Sequence, residues 1–439
     1  MSPVAGAHVP LLPESKLNHA EPATVSGAVF NIATSIIGAG IMSIPATLKV
    51  MGVVPAFVLI LVIALLAEIS VEFLMRFTRS GQTTTYAGVM REAFGPAGAI
   101  AAQVCVTITN LGCLIMYLII IGDVLSGKQQ ESDKEVHLGI LQQWLGIHWW
   151  TSRQFTLFIT LVVVMLPLVL YRRVESLKIS SAISTLLAVA FVAICSVLAI
   201  VALVQGKTEA PRLFPRLDQH TSFFDLFTPV PVIVTAYTFH FNVHPIGFEL
   251  VKPSDMTTAV RIALILCAII YFLIGLFGYL LFGDSTQSDI LVNFDQNADS
   301  AVGYLLNTLV RLSYVFHVML VFPLLNFSLR GNIDELLFPK KPLLATDNKR
   351  FLILTLVLLV FSYIAAIAVP DIWYLFQFVG STSAVSLAFI FPGSIVLRDV
   401  YGISKRRDKI IALVMVVVAS VTSVIALSTN VYNLLGGKS

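Results

Sequence analysis

The chain has 439 residues, of which 57% are hydrophobic and 12% charged, and its formal net charge at pH 7 is +3. Soluble domains carry about 25% charged residues, so this composition excludes a soluble globular protein and indicates a polytopic membrane protein. The small net charge and the lack of a basic stripe argue against a nucleic-acid partner. All four cysteines lie inside apolar segments, so no disulfide framework is expected outside the membrane.

Long apolar segments follow one another along the chain, and about 20 apolar residues are enough to cross a bilayer as a helix. The fourth of these segments is short, and the ninth and tenth are nearly fused. The predicted segments are 26–48, 53–75, 97–125, 155–171, 178–204, 225–247, 258–282, 301–325, 351–369, 372–397 and 409–428. The sequence therefore predicts an all-α polytopic membrane protein of about 11 transmembrane helices, preceded by a disordered tail over 1–24.

The distribution of lysine and arginine over the predicted loops indicates the orientation of the chain in the membrane. Nineteen of the 28 basic residues fall on the side of the N-terminus, and eight fall on the opposite side. Cytosolic loops carry the excess of basic residues in membrane proteins, so the N-terminus is expected in the cytosol. All loops are short, so the function is expected to lie within the membrane.

The stretch Gly38-Ala39-Gly40 interrupts the first segment near the middle of the bilayer. Non-helical backbone at that depth is tolerated only where it packs in protein or lines a cavity. Amide groups after such a break can bind a carboxylate. Carbonyl groups before it, with the hydroxyls of Thr34 and Ser35, can bind a cation or an amino group. The alternative interpretation is a close contact between helices through small residues.

A second interruption, NVHP at 242–245, falls in the sixth segment. Pro245 removes a backbone donor and clashes with the preceding turn, so it breaks or kinks a helix. Interruptions at corresponding positions of two halves indicate the binding site of a secondary transporter. Polar side chains are concentrated just before the break, over 235–242. His240 and His244 lack a third ligand nearby, so no metal site is predicted.

Ionisable side chains within apolar segments are functional candidates, because burying them in a membrane is costly. Glu72 and Arg76 are predicted to pair near the cytosolic end of the second segment, and Glu68 lies deeper. Glu68, His244 and His317 are the candidates for carrying a coupled proton.

Three stretches of the chain resemble, in order, the first, sixth and eighth helices of the amino acid/auxin permease family, which includes the sodium-coupled neutral amino acid transporters. They are VFNIATSIIGAGIMSIPATLKVMG at 29–52, NVHPIGFEL at 242–250 and LVRLSYVFHVMLVFP at 309–323. The short loops and the placement of prolines are most similar to the plant vacuolar amino acid transporter branch of that family.

The resemblance implies the LeuT-type fold, the five-plus-five inverted repeat of the bacterial leucine transporter, with helices one and six broken. The two repeats would span 25–204 and 225–397, with one extra helix at 409–428. Substrate would bind between the two breaks. The implied binding residues are Thr34, Ser35, Gly38, Ala39 and Gly40 for the carboxylate and cation, and Tyr237, Thr238, Phe239 and His240 for the side chain.

Three positions depart from the pattern of the sodium-coupled members. Thr34 stands where those members have an asparagine, and Met319 and Val321 stand where they have threonine hydroxyls. Sodium needs several oxygen ligands, which a thioether or an alkyl group does not supply. We therefore expect a proton as the coupling ion and no other cofactor.

The resulting hypothesis is a monomeric secondary active transporter of amino acids, coupled to protons and working by alternating access in a vacuolar or other endomembrane. A sodium-coupled amino acid symporter is one alternative. A second is an amino-acid sensor on the same fold that does not transport. The sequence contains neither an HExxH motif nor a histidine-rich loop, so we do not predict an enzyme.

Overall fold

The computed structural model describes residues 24–129, 136–171, 178–208, 210–216, 223–250, 252–294, 301–342, 344–369 and 371–434. Of the tail predicted over 1–24, residues 1–23 lie outside these ranges. Within them the structure is helical, apart from connecting loops and one short antiparallel strand pair. The strands are β1 (Lys128–Gln129) and β2 (Val136–His137).

The described helices follow the apolar segments of the sequence, and most are long enough to cross a bilayer. They are α1 (Val25–Ile36), α2 (Gly40–Met51), α3 (Val53–Ser80), α4 (Tyr86–Ser126), α5 (Ile140–Leu145), α6 (Arg153–Val169), α7 (Lys178–Val204), α8 (Pro229–Ala236), α9 (Val243–Glu249), α10 (Met256–Phe282), α11 (Ile290–Asn293), α12 (Ala301–Leu337), α13 (Asn348–Ala368), α14 (Ile372–Arg398) and α15 (Arg406–Leu434). Helix α14 contains two π-helical stretches, Gly380–Ala384 and Ser386–Ile390.

Length and composition identify ten of the eleven predicted membrane spans among the described residues. Nine described segments are long and apolar enough to cross a membrane, and the bent pair α1–α2 makes a tenth. The remaining predicted span, the fourth at 155–171, corresponds to α6, which is shorter and less apolar at its start. Its residues Arg153–Val169 rise by about 25 Å, and the hydrocarbon core is about 30 Å thick.

Helix α4 begins earlier than the predicted third segment, which starts at residue 97. Thr85 caps its first turn by accepting a hydrogen bond from the Gly88 amide. Gly95 then interrupts the helix with φ 71° and ψ −163°, a conformation that favours glycine, and Pro96 follows. The predicted start therefore marks a kink inside a longer helix.

The two half-helices α1 and α2 lie at the centre of the bundle but differ in how deeply they are enclosed. Helix α10 packs along both of them, and α8 packs against α2. Every residue of α2 from Gly40 to Leu48 is buried, whereas α1 buries only one face. The second half of the bent pair is thus fixed in the core, and the first half is partly exposed.

The near side is the end that contains Thr24 and Gly81, and the far side is the end that contains Lys49 and Gly127.

An ion-pair network on the near side joins α3 to α15. The Nη2 atom of Arg76 lies 2.8 Å from a carboxylate oxygen of Glu72, which confirms the predicted pair. The Nη1 atom of Arg76 lies 2.5 Å from a carboxylate oxygen of Asp408, at the start of α15. The helix that follows the two predicted repeats is therefore tied to α3 by this ion pair.

Asp399 organises the loop between α14 and α15. It adopts φ 47° and ψ 53°, and its carboxylate accepts hydrogen bonds from the amides of Ile403 and Ser404. The Nζ atom of Lys409 lies 3.0 Å from the same carboxylate. Burial raises the pKa of this carboxyl, but the bonds from Lys409, Ser404 and Ile403 outweigh burial and lower the pKa below its usual value.

We expect Asp399→Asn to lower the free energy of unfolding by about 1–2 kcal/mol at neutral pH, because an uncharged amide cannot form the ion pair with Lys409. Asparagine tolerates the left-handed backbone, so the substitution adds no backbone strain. A carboxyl with a depressed pKa stabilises the fold above its unfolded pKa, and that contribution is lost as pH falls through its folded pKa. The difference from wild type should therefore shrink below about pH 4. Thermal unfolding at pH 7 and pH 3.5 measures it, and a difference independent of pH contradicts the assignment.

Candidate functional site

The first break separates α1 from α2 at residues 37–39, and the two axes are bent by 61°. A Cβ atom added at Gly40 would lie 2.5 Å from the Cβ of Ala236, so glycine lets α2 cross α8 at close range. A Cβ at Gly38 would lie 2.7 Å from the hydroxyl of Tyr117. The two interpretations of this stretch are thus compatible, because the glycines serve both the break and a close helix contact.

The second break lies a few residues before the predicted one. Helix α8 ends at Ala236, residues 237–239 are not helical, and a 3₁₀ turn over His240–Asn242 leads into α9. The interruption predicted at 242–245 is therefore wrong in position. Pro245 is the third residue of α9, where a backbone amide has no partner within the helix, so proline costs no hydrogen bond there.

Two side-chain contacts join the two breaks. The hydroxyl of Tyr271 lies 2.7 Å from the carbonyl oxygen of Ile36 and 2.9 Å from that of Ala236. These are the last residues of α1 and α8, whose carbonyls lose their helical partners at the breaks. The amide of Asn242 donates to the hydroxyl of Ser35 at 3.2 Å. The unwound segments therefore face each other across a shared set of polar atoms.

A group of tyrosines from four parts of the chain surrounds the breaks. Tyr314 of α12 donates to the Gly38 carbonyl at 2.5 Å, and the ring of Tyr237 lies 5.1 Å from that of Tyr271, edge to face. The hydroxyl of Tyr237 is buried without a hydrogen-bond partner among the described residues. The predicted residue Tyr237 thus forms a polar wall with Tyr117, Tyr271 and Tyr314, which the sequence analysis missed. The available signal was a tyrosine in an apolar span, whose hydroxyl needs a partner.

The predicted hydroxyl residues are arranged in different ways around the breaks. Thr34 and Ser35 donate to the carbonyls of Phe30 and Asn31, one turn earlier in α1, at 2.9 and 2.8 Å. Their oxygen atoms therefore keep lone pairs that can accept from a ligand. Thr238 donates to the carbonyl of Val234 in the same way, at 2.6 Å.

The two histidines near the second break each bind a hydroxyl of α3. The Nε2 atom of His240 lies 2.7 Å from the Ser70 hydroxyl, and the Nε2 atom of His244 lies 2.9 Å from the Thr78 hydroxyl. Both hydroxyls also donate to carbonyls of α3, so each histidine is assigned as the donor. Phe239 is fully buried, with its ring 5.1 Å from that of His240. In the part of the chain that is described, no cluster of three possible metal ligands occurs.

Of the candidates for carrying a proton, His317 lies beside the first break. Its Nδ1 atom is 2.8 Å from the Ser184 carbonyl oxygen, and its ring centre is 4.9 Å from that of Tyr314. The backbone of Ile37 also neighbours the ring. Glu68, by contrast, pairs with Arg261 of α10 at 2.7 Å, away from this cluster. The roles of Glu68, His244 and His317 stay predictions.

Comparison with known proteins identifies the family. The family model described as "Transmembrane amino acid transporter protein" matches residues 21–433. The chain belongs to this family. The amino acid transporter AVT6C of Arabidopsis thaliana is 61% identical over 422 residues, covering 96% of each chain. The sodium-coupled neutral amino acid transporter 7 of Danio rerio is 26% identical, over 84% of this chain and 77% of its own. The resemblance described above is thus confirmed.

The fold of this transporter family member matches that of solved transporters. A crystal structure of the Eremococcus coleocola manganese transporter, mutant H236A, superposes with a TM-score of 0.56 at 13% identity, covering 94% of this chain and 88% of that chain. The predicted all-α membrane fold of LeuT type is therefore confirmed. The repeat boundaries at 204 and 225 stay predictions. The family and the relatives named here are transporters, not enzymes.

We expect Tyr271→Phe to slow amino acid transport by about tenfold or more, because two buried carbonyls lose their shared donor, at a cost of about 1–3 kcal/mol. Tyr363→Phe is the matched control, since its hydroxyl bonds one carbonyl, that of Gln154, at the exposed face of α13. Initial rates in proteoliposomes with equal amounts of protein measure the effect. Equal rates for both variants would show that the hydroxyl of Tyr271 does not hold the breaks together.

Proposed function

We propose that this protein is a proton-coupled secondary transporter of amino acids that works by alternating access, with its substrate bound between the two breaks. The observation that carries the proposal is that tyrosine hydroxyls already bond carbonyls at the end of α1 and in the first break. Tyr271 and Tyr314 donate to the carbonyls of Ile36 and Gly38, and His317 lies beside Ile37.

This arrangement disfavours a sodium ion at the end of α1. In transporters with broken helices, unwound carbonyls and half-helix ends coordinate the coupling ion. Here two of those carbonyls accept from tyrosine hydroxyls. Met319 and Val321, the α12 positions aligned with threonines of the sodium-coupled members, are both buried and offer no oxygen ligand.

His317 is the proposed proton carrier. Its Nδ1 side contacts Ser184, and its Nε2 atom is buried without a hydrogen-bond partner among the described residues. Protonation adds a second N–H donor and a positive charge to the ring. The Ile37 carbonyl is the neighbouring acceptor, so a proton on His317 would draw the end of α1 towards α12. Loss of that proton would release it, which couples the movement of α1 to proton binding.

The proposed substrate contacts use both halves of the broken pair. The first turn of α2, beginning at Ala39 and Gly40, presents backbone amides and the positive end of the helix dipole to a carboxylate. The hydroxyl oxygens of Thr34 and Ser35 accept from the amino group. The Tyr237 hydroxyl, with Thr238, Phe239 and His240 behind it, bounds the space for the side chain.

We further propose that the N-terminus, and with it the near side, faces the cytosol, and that the protein resides as a monomer in a vacuolar or other endomembrane. The excess of lysine and arginine in near-side loops supports this orientation. The resemblance to the plant vacuolar branch supports the choice of membrane.

Transport by purified protein in proteoliposomes tests the proposal. Radiolabelled amino acids are offered under an imposed pH gradient, with and without sodium. One proton per substrate supports about tenfold accumulation per pH unit, equal to about 1.4 kcal/mol. Accumulation that follows the pH gradient without sodium is expected. Uptake that requires sodium and ignores pH would establish the symporter alternative, and binding without flux would establish the sensor.

A further inference from the structure

A short far-side segment, residues 138–152, carries most of the tryptophan of the chain. Three of the four tryptophans of the protein lie in it, Trp144, Trp149 and Trp150. The segment leads from the strand pair through α5 to α6, and its sequence contains no lysine, arginine, aspartate or glutamate. A loop surrounded by water is usually polar, so this composition indicates that the segment has a different environment.

The apolar side chains of this segment point away from the bundle. Trp144, Ile147 and Trp149 are 54%, 69% and 74% exposed. Leu145 and Trp150 are exposed beside them. Single exposed apolar residues are common, but five within seven consecutive residues indicate contact with a membrane or a partner. These five side chains are called the tryptophan patch below.

Local contacts hold the patch in one shape. The buried hydroxyl of Thr151 accepts from the His148 amide at 2.9 Å and donates to the His148 carbonyl at 3.0 Å. The ring of His148 stacks on that of Trp150, with the ring centres 5.1 Å apart. The ring of Trp149 lies 4.9 Å from that of Phe155 in α6, edge to face. The patch is therefore continuous with the start of α6.

Helix α6 identifies the bilayer as the surface that covers the patch. Phe158 and Val163 lie on its exposed apolar face, and Arg172 and Arg173 follow its near-side end in the sequence. Arginines beside a membrane span lie at the headgroups, so this end of α6 is at the near-side boundary. From there, a helix of about 25 Å falls short of the far-side boundary, which is about 30 Å away. The patch comes directly before α6 and occupies the remaining depth.

Tryptophan suits this depth for a physical reason. Its ring is apolar over most of its surface and has one N–H donor, so it favours the layer between acyl chains and headgroups. The middle of the bilayer would leave the N–H group without an acceptor, and water would leave the apolar rings uncovered. Segments that lie in the plane of the membrane bury their apolar face about 5–10 Å into this layer.

Arg311 of α12 fixes the segment to the bundle. Its guanidinium group donates to the Leu138 carbonyl at 2.9 Å and to the side-chain oxygen of Gln143 at 3.2 Å. Arg311 lies about one helical turn before Tyr314, which donates to the Gly38 carbonyl in the first break. The patch and the first break are therefore connected through a single helix.

We propose that the tryptophan patch is a membrane anchor, inserted between the headgroups and acyl chains of the far-side leaflet. Its partner is the lipid surface, and residues 138–152 lie along the membrane and not in the far-side solution. The inference goes beyond the proposed function, because it requires no substrate, no flux and no coupled proton.

Tryptophan fluorescence of the full-length protein in vesicles tests the anchor, because Trp373→Phe leaves only the three tryptophans of the patch. The vesicles contain phosphatidylcholine with bromine atoms at shallow or deep acyl positions, which quench nearby rings. Shallow bromines should quench about twofold more strongly than deep ones, since the rings lie near the headgroups. Acrylamide, a quencher dissolved in water, should act much less on the patch than on free tryptophan.

The matched control retains Trp373 and replaces the patch tryptophans by Trp144→Phe, Trp149→Phe and Trp150→Phe. Trp373 lines a cavity between the end of α2 and the start of α14, so its ring is not expected to reach the acyl chains. Quenching by bromine should therefore be about threefold weaker, or less, than for the patch. If this control does not purify as a monodisperse protein, the depth profile of Trp373→Phe alone decides.

Three outcomes would overturn the anchor. Strong quenching by acrylamide, with none by brominated lipid, would place the patch in solution, where a soluble partner could bind it. Weak quenching by both reagents that rises when the protein is diluted in the membrane would assign the patch to a contact between two copies of the chain. Stronger quenching by deep bromines than by shallow ones would place the rings in the hydrocarbon core.

Discussion

Gly40→Ala is expected to abolish transport and to lower the free energy of unfolding by about 1–3 kcal/mol, the usual cost of overpacking a core. The new Cβ would lie 2.5 Å from the Cβ of Ala236 and 2.8 Å from its Cα. Neither atom can move by changing a rotamer, so α2 and α8 must separate. Their separation moves the Ala236 carbonyl away from Tyr271 and opens the polar contact between the breaks.

The same helix crossing supplies a rescue, and α12 supplies a control. Ala236→Gly removes one of the two opposed Cβ atoms, so the double variant should regain part of the lost transport. Gly331→Ala places its Cβ in open space, with no atom within 4 Å, and should transport normally. Fluxes in proteoliposomes and thermal unfolding of each variant measure both effects. If Gly40→Ala transports normally, the close crossing of α2 and α8 is not required for transport.

His317→Gln is expected to remove accumulation driven by a pH gradient and to leave exchange of amino acids across the membrane. The glutamine amide can still donate to the Ser184 carbonyl, which His317 contacts at 2.8 Å, but it takes up no proton. The accumulation ratio should therefore fall from about tenfold per pH unit to one. Counterflow of labelled against unlabelled amino acid should continue, because it needs no net proton movement.

His148→Gln changes an exposed histidine on the far side and serves as the control. If His317→Gln still accumulates substrate in proportion to the pH gradient, the coupled proton resides elsewhere. His244 and Glu68 are then the residues to change next, since they were the other candidates. Loss of both accumulation and counterflow would instead assign His317 to the structure of the site.

Much of the architecture could be predicted from the sequence because a bilayer demands long apolar helices. The first break could be predicted because Gly38 and Gly40 lie in the middle of an otherwise continuous span. The Glu72–Arg76 pair follows from helical spacing alone. The short fourth segment was also evident and corresponds to α6.

The site itself was less predictable because its contacts join residues distant in sequence. Proline is a strong local signal, so the second break was assigned to 242–245, whereas the helix actually ends at Ala236, within the polar stretch 235–242. Tyr271 and Tyr314 looked like ordinary members of apolar spans. Only the meeting of α10 and α12 with the broken helices gives their hydroxyls carbonyl partners.

The two π-helical stretches of α14 give this helix an unusual mechanical property. Each π turn holds one residue more than an α turn, so the surplus residue can pass to the next turn while both helix ends stay in place. Such a transfer rotates the side chains between the old and new positions by about 100°. Gly380, packed against the Pro231 backbone, and Ser383, bonded to Thr109, lie in this stretch. The middle of helix α14 can therefore rotate relative to α8 and α4 while both ends of the helix stay fixed.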